Sequence, residues 1–133
     1  MERTTSISEL VSVLSDTPAD SHLEVFRRCQ AADSLGAAGP AATSALSALV
    51  RALDVRVEVD CVQALRVAAA RAVWRIGRRA ELALPHLIRA LEDDYWRVVR
   101  TAVETLAEMG PAGRPAAPEV IALVKKRLAS GPF

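Results

Sequence analysis

The sequence predicts an all-α protein, a right-handed α-α superhelix of about seven helices in three and a half antiparallel hairpins, and three observations carry that prediction. Ser-Ala-Leu-Val-Arg-Ala-Leu-Asp at 47–54 returns as Pro-His-Leu-Ile-Arg-Ala-Leu-Glu at 85–92 and, worn down, as Pro-Glu-Val-Ile-Ala-Leu-Val-Lys at 118–125. Recurrence at offsets of 38 and then 33 residues marks stacked like units, each touching mainly its neighbours. Hydrophobic residues make up 51% of the chain but aromatic ones only 4%, so the apolar content is Ala, Leu and Val, which suits close-packed helices better than a sheet. Finally, Gly, Pro or Asp closes each block of helical periodicity.

Taken in order, Ile7, Leu10, Val11 and Leu14 form the first apolar face, opened by a Ser6 to Glu9 capping box and closed near Asp16 and Pro18. A second box, Ser21 with Glu24, opens the next helix, whose inner face is expected to use Phe26, Cys29, Ala32 and Leu35 before a connection at Gly36 to Pro40. The third helix follows Gly39 with Pro40 in its first turn and buries Leu46, Leu49, Val50 and Leu53. The fourth starts near Asp60, shows Leu65, Ala68, Ala69, Ala72, Val73 and Ile76, and is expected to stop at Gly77. The fifth uses Leu84, Leu87, Ile88 and Leu91, with His86 in its first turn after Pro85. Asp93 or Asp94 caps the sixth, which carries Val98, Ala102, Val103, Leu106 and Met109 and ends at Gly110-Pro111. The seventh runs from about Pro115 or Pro118 to Leu128 on Val120, Ile121, Val124 and Leu128. The connections are short, so consecutive helices run antiparallel, and stripes this apolar must bury against each other. The reading is one domain over 1–133, with units at about 6–39, 40–77, 78–110 and 111–129.

Leu65-Arg-Val-Ala-Ala-Ala-Arg-Ala-Val-Trp-Arg-Ile-Gly77 resembles the second helix of a HEAT repeat, in the short bacterial form also seen in phycobilin lyase-like repeats. Val98 to Gly110 follows the same pattern, and Arg28 to Gly39 is a weaker copy. The first helices match through Leu53-Asp54, Leu91-Glu92 and, slipped by one residue, Leu14-Ser15-Asp16. Two departures stand out. Leu53 to Leu65 is five residues longer than Leu91 to Val98, and Trp74 stands where the family usually has Gly, so helix packing there must open for an indole or leave it outside. The resemblance implies a HEAT-like solenoid whose second helices line a concave face. In similar proteins an Asp/Arg ladder fixes the stacking, which maps here onto Asp16, Asp54 and Asp93 with Arg28, Arg66 and Arg97. Asp33, Arg71 and Glu104 share one repeat position and should alternate in charge across neighbours.

Net charge is +1, which makes neither nucleic acid nor an anionic membrane an obligatory partner. The halves differ: residues 1–60 hold nine acids against five bases and residues 61–133 hold seven against twelve, nets of −4 and +5. Cys29 and Cys61 read as small buried hydrophobes with no metal or redox spacing, and no cofactor is expected. His22 and His86 lack a Cys or second His one turn away, no serine lies in a nucleophile-elbow setting, and no phosphate loop follows a strand, so no catalytic or metal residue is assigned. With no signal-peptide pattern at Met1 to Ser6 and no uncharged run able to span a bilayer, the expected location is cytoplasmic, away from any membrane.

What remains is a surface. Arg71, Trp74, Arg75 and Arg78, with Arg79, lie to one side and Tyr95, Trp96, Arg97 and Arg100 to the other, and Arg and Trp are the types that combine contact area with directional hydrogen bonds. The expected function is a noncatalytic scaffold or adaptor that presents this concave surface to a protein or peptide, with a homo-oligomer also open. The alternative is nucleic-acid binding through the same basic surface, by analogy with HEAT-like alkylpurine DNA glycosylases, and after it an auxiliary lyase-type role.

Overall fold

The computed structural model describes residues 6–16, 22–53 and 62–129. Every regular element among them is helical: α1 (Ile7–Asp16), α2 (His22–Ala38), α3 (Leu46–Leu53), α4 (Val62–Gly77), α5 (Ala80–Ala90), α6 (Trp96–Met109) and α7 (Ala117–Ala129). The 3-10 turns Gly39–Ala45 and Gly110–Ala116 join α2 to α3 and α6 to α7 without a gap. Counted as unbroken helical stretches there are therefore five among the described residues, fewer than the expected seven. The prolines are the reason: Pro40 and Pro111, at the second position of each turn, keep a helical φ after a glycine has reversed the chain. The reversals themselves are Gly39 and Gly110, at φ +63° and +58°, where a side chain would be strained.

Packing explains the layout. α2, α4 and α6 lie side by side as one layer, α4 touching both others, and each packs on the helix before it in sequence; α1 meets α3, and α5 meets the turn ahead of α7. α4 sits at the centre because small and apolar residues dominate its sequence: Leu65, Val67 to Ala70, Ala72, Val73, Trp74 and Ile76 are all buried. The alanines let neighbours approach, most closely at Gly36 of α2, where a Cβ would come within 3.2 Å of the Ala72 Cα. Core side chains on the other helices are Leu14, Val25, Leu35, Leu49, Leu53, Leu87, Leu91, Val98, Val99, Leu106 and Met109.

Several expectations need correction. Phe26 is exposed rather than inward, and Val25 and Ala31 take the inner positions. α2 runs past Gly36, which is a packing residue and not a connection. α5 begins at Ala80, so Pro85 lies in its interior and His86 in its second turn; buried Ala83 with half-buried Leu82 and Leu84 gives this segment an apolar face before the proline. α4 does not stop on a left-handed Gly77. Arg78 takes φ +54°, while Gly77 is small because Leu46 Cδ1 would lie 3.1 Å from a Cβ there. Val103 is exposed, and α7 buries no residue: only Val120 and Leu123 pack partly on the core, leaving Ile121, Val124 and Leu128 outside. Cys29 is half-buried against the core. Asp54, Asp60, Cys61 and Ser21, and the side chains of Asp16 and His22, lie outside the described residues.

At the start of α1 the Glu9 amide donates to Ser6 Oγ at 3.2 Å. The N-cap of α6 is Tyr95, which makes no side-chain cap bond; Asp93, expected as the cap, instead accepts the Tyr95 amide on Oδ1 at 2.8 Å, in a turn just ahead of the helix. Thr105 is a fully buried polar residue that periodicity did not reveal, and its hydroxyl donates to the Thr101 carbonyl at 2.7 Å.

Burial this uneven sets a stability contrast. Leu87→Ala, at a fully buried site, is expected to cost about 2–5 kcal/mol in urea denaturation. Leu128→Ala, at a residue 73% exposed, is expected to change stability by less than about 0.5 kcal/mol. Equal losses at the two sites would contradict this packing.

Candidate partner-binding surface

Arg71, Trp74 and Arg75 recur three and four residues apart, so α4 carries them on one side, and Arg78 follows directly past the helix end. The structure gives them different duties. Trp74 is only 8% exposed and belongs to the core; it widens the packing where the repeat pattern favours glycine, and offers a partner little area. Its indole Nε1 is buried without an acceptor, as is the Nε of half-buried Arg71. Arg78 folds back so that its guanidinium lies 5.0 Å from the Trp74 ring centroid, which satisfies the indole face with a cation. Arg75 reaches across to α6 and forks onto Glu108: Nε donates to Oε1 at 3.1 Å and to Oε2 at 3.2 Å, and Nη2 donates to Oε1 at 2.5 Å. Arg79, exposed beyond the helix end, donates to Glu81 at 2.5 Å.

A charge row thus crosses the layer from Asp33 on α2, through Arg71 and Arg75 on α4, to Glu108 on α6. Glu104, the residue expected to close the row, lies one turn away from it and pairs along its own helix with Arg100 at 3.7 Å. The row shapes its own titration. The hydrogen bond from Arg75 holds the Glu108 carboxyl below its ordinary value; burial opposes this, and the charges of Arg75, Arg71 and Arg78 add to it. For Asp33, burial raises the carboxyl above its ordinary value and outweighs the attraction of Arg71 and Arg75. Glu108 was legible in principle: it stands 33 residues after Arg75, the same step that separates Gly77 from Gly110.

The second cluster is open. Tyr95, Trp96, Arg97 and Arg100 are all exposed, Trp96 at 60%, and the Arg127 guanidinium of α7 lies 5.8 Å from the Trp96 ring centroid. Of the anticipated ladder, Arg28 is buried on α2, and its Nε finds no acceptor among the described residues. Burial lowers its pKa and Glu24 pulls it back up. Asp93 closes a turn ahead of α6 by accepting the Tyr95 amide, while Arg97 is exposed. Among the described residues no three of His, Cys, Asp and Glu group as metal ligands, and no helix is long and apolar enough to cross a membrane.

Residues 56–133, which include α4, both arginine clusters and the charge row apart from Asp33, match the family model of HEAT repeats. The chain belongs to the HEAT-repeat family. No curated protein and no solved structure matches it. The arginines sit on the layer formed by α2, α4 and α6.

Two measurements check this geometry. Arg78→Gly and Arg78→Ala both remove the cation over Trp74, but only glycine relieves the left-handed backbone, so the Gly variant is expected to be about 1 kcal/mol more stable than the Ala variant in denaturant titration. Because the folded state depresses the Glu108 pKa, its contribution is complete above the ordinary value of 4.5 and is lost as pH falls through the lower folded value. Glu108→Gln is therefore expected to flatten the acid-side loss of stability between about pH 5 and pH 3, by at most about 1 kcal/mol for so solvated a pair. Asp33 acts with the opposite sign: its raised pKa makes ionisation costly to the fold, and that cost is relieved as pH falls.

Proposed function

We propose that this chain is a noncatalytic interaction scaffold, a right-handed superhelix of about seven helices in three and a half hairpins that presents its concave second-helix face to a protein or peptide in the cytoplasm. The observation that carries the reading is the pairing of an internally braced α4 with an open cluster beside it. Arg75 is fixed by Glu108 and Trp74 is buried, so the surface is held rigidly, while Arg71, Tyr95, Arg97 and Arg100 stand at its edge with area and donors to offer. HEAT repeats commonly serve as protein-interaction elements and are typically not catalytic, which agrees with this reading. The same ion pairs weigh against a phosphate-tracking surface, because Glu108, Glu81 and Glu104 each stand against one of the arginines that would have to meet a nucleic-acid backbone.

Partner recovery from host extract is the test. A variant carrying Arg71→Ala, Tyr95→Ala and Arg97→Ala, all outside the core, is expected to keep its thermal midpoint and to lose at least about ten-fold in partner affinity. Undiminished recovery rejects the face. Salt-dependent binding of random duplex DNA at comparable affinity would favour the nucleic-acid reading instead.

A further inference from the structure

We propose that the α6–α7 end of the stack is a separate docking groove, and that its occupant is an acidic amphipathic helix of a partner protein. This rests on the scaffold reading and places a second contact on the adjoining flank of α6, with Arg100 at the border between the two.

The groove follows from which sides of α6 and α7 are used. On α6, Glu108 faces α4; Val103 and Trp96 lie roughly 120–140° further round the helix, on the flank away from α4. There Trp96, Arg100, Val103 and Glu104 line an open hollow of about 300 Å³. On α7, Ile121, Val124 and Leu128 are 54%, 50% and 73% exposed, and their spacing of three, four and seven residues makes them a single stripe. Arg127 over the Trp96 ring brings the end of α7 beside the start of α6, so the two apolar strips run alongside each other. α6 rests on α4 and α5 as α4 rests on α2 and α3. The same step taken once more would lay a helix along Val103, Trp96 and the α7 stripe. The surface therefore has the form of a seat for one second helix.

Charge selects the occupant. The apolar strips are rimmed by Arg100 on α6 and by Lys125 and Arg127 on α7, while Glu104 is engaged by Arg100. A second copy docking through the same end would set these cations against their own images. At the opposite end, the exposed large apolar residues among those described are Leu23 and Phe26, and Phe26 lies seven residues ahead of Asp33, on the side of α2 turned towards the α4 arginines rather than on the end. Among the described residues neither end of another copy supplies an apolar stripe with acidic flanks. A helix with Leu-type residues at positions i, i+3, i+4 and i+7 and Glu or Asp beside them supplies both.

The probe is a synthetic helix of about 16 residues with Leu on one face and Glu on its flanks, long enough to cover α7, together with its counterpart carrying Lys for Glu. Titrated into the full chain, the Glu peptide is expected to shift tryptophan emission to the blue as Trp96 is covered, Trp74 being already buried and silent. Its affinity is expected to fall about ten-fold in Val124→Asp and again in Leu128→Asp, and to weaken with added salt, and the Lys peptide is expected to bind at least about ten-fold less tightly. Both substitutions are at exposed sites, and unchanged circular dichroism and thermal midpoint confirm that the fold is intact. Arg71→Ala with Arg78→Ala is expected to leave the peptide affinity unaltered, which separates this groove from the concave face. Equal binding of the two peptides, insensitivity to the α7 substitutions, or no binding at about millimolar peptide overturns the proposal. So does a dimer in sedimentation equilibrium that Leu128→Asp dissolves, which would assign the groove to a second copy.

Discussion

The close approach of α4 to its neighbours is the constraint on which the rest of the structure depends. Its alanines bring α2 near enough that Gly36 cannot carry a side chain without displacing Ala72, and α3 near enough that Gly77 must also stay small beside Leu46. Helices at that separation leave a free strip on α4 that Arg71 and Arg75 share, while Arg66 lies apart from it beside Gln63. Trp74 is the exception that fixes the geometry: a large ring among small residues sets the spacing at the open end of the helix, and Arg78 closes over it. Position and chemistry of the arginine strip thus have one cause, the need to bury a helix on three sides.

Electrostatics then adds register rather than raw stability. The Asp33–Arg71–Arg75–Glu108 row runs across three successive second helices, and its strongest link is the forked Arg75–Glu108 contact. Each exposed pair contributes little in water, but a fork has direction, and direction keeps one repeat from sliding against the next. The opposite shifts of Asp33 and Glu108 show the balance: one carboxylate is held where burial outweighs attraction, the other where a hydrogen bond outweighs burial.

Much of the fold was legible because repetition and helical period are strong local signals. Leu65, Ala69, Ala72, Val73 and Ile76 were readable as core, and so was the Ser6 cap. Failures cluster where an apolar residue sits on the flank of its helix rather than at the centre of the stripe. Phe26, Val103 and Ile121 satisfy the period, yet whether they are buried depends on whether a neighbouring helix stands on that flank. The left-handed Arg78 was hidden for a related reason: a glycine beside a helix end signals a stop, and only the packed Leu46 shows that Gly77 has another duty. For the surface, sequence placed the arginines on one strip but could not tell which were spoken for. That required the partner carboxylates, and the 33-residue step from Arg75 to Glu108 was the one available hint.

The absence of any buried residue in α7 has a consequence for dynamics. Opening free energies within a folded chain range from almost nothing at a frayed edge to the full global value at the centre, and a helix whose apolar hold on the core is Val120 and Leu123 belongs near the bottom of that range while α4 belongs at the top. The chain is thus graded from a stiff middle to a soft rim, and amide protons should exchange in that order. Whatever settles against the rim must first quiet it, trading some affinity for a surface that can adjust its pitch to the visitor.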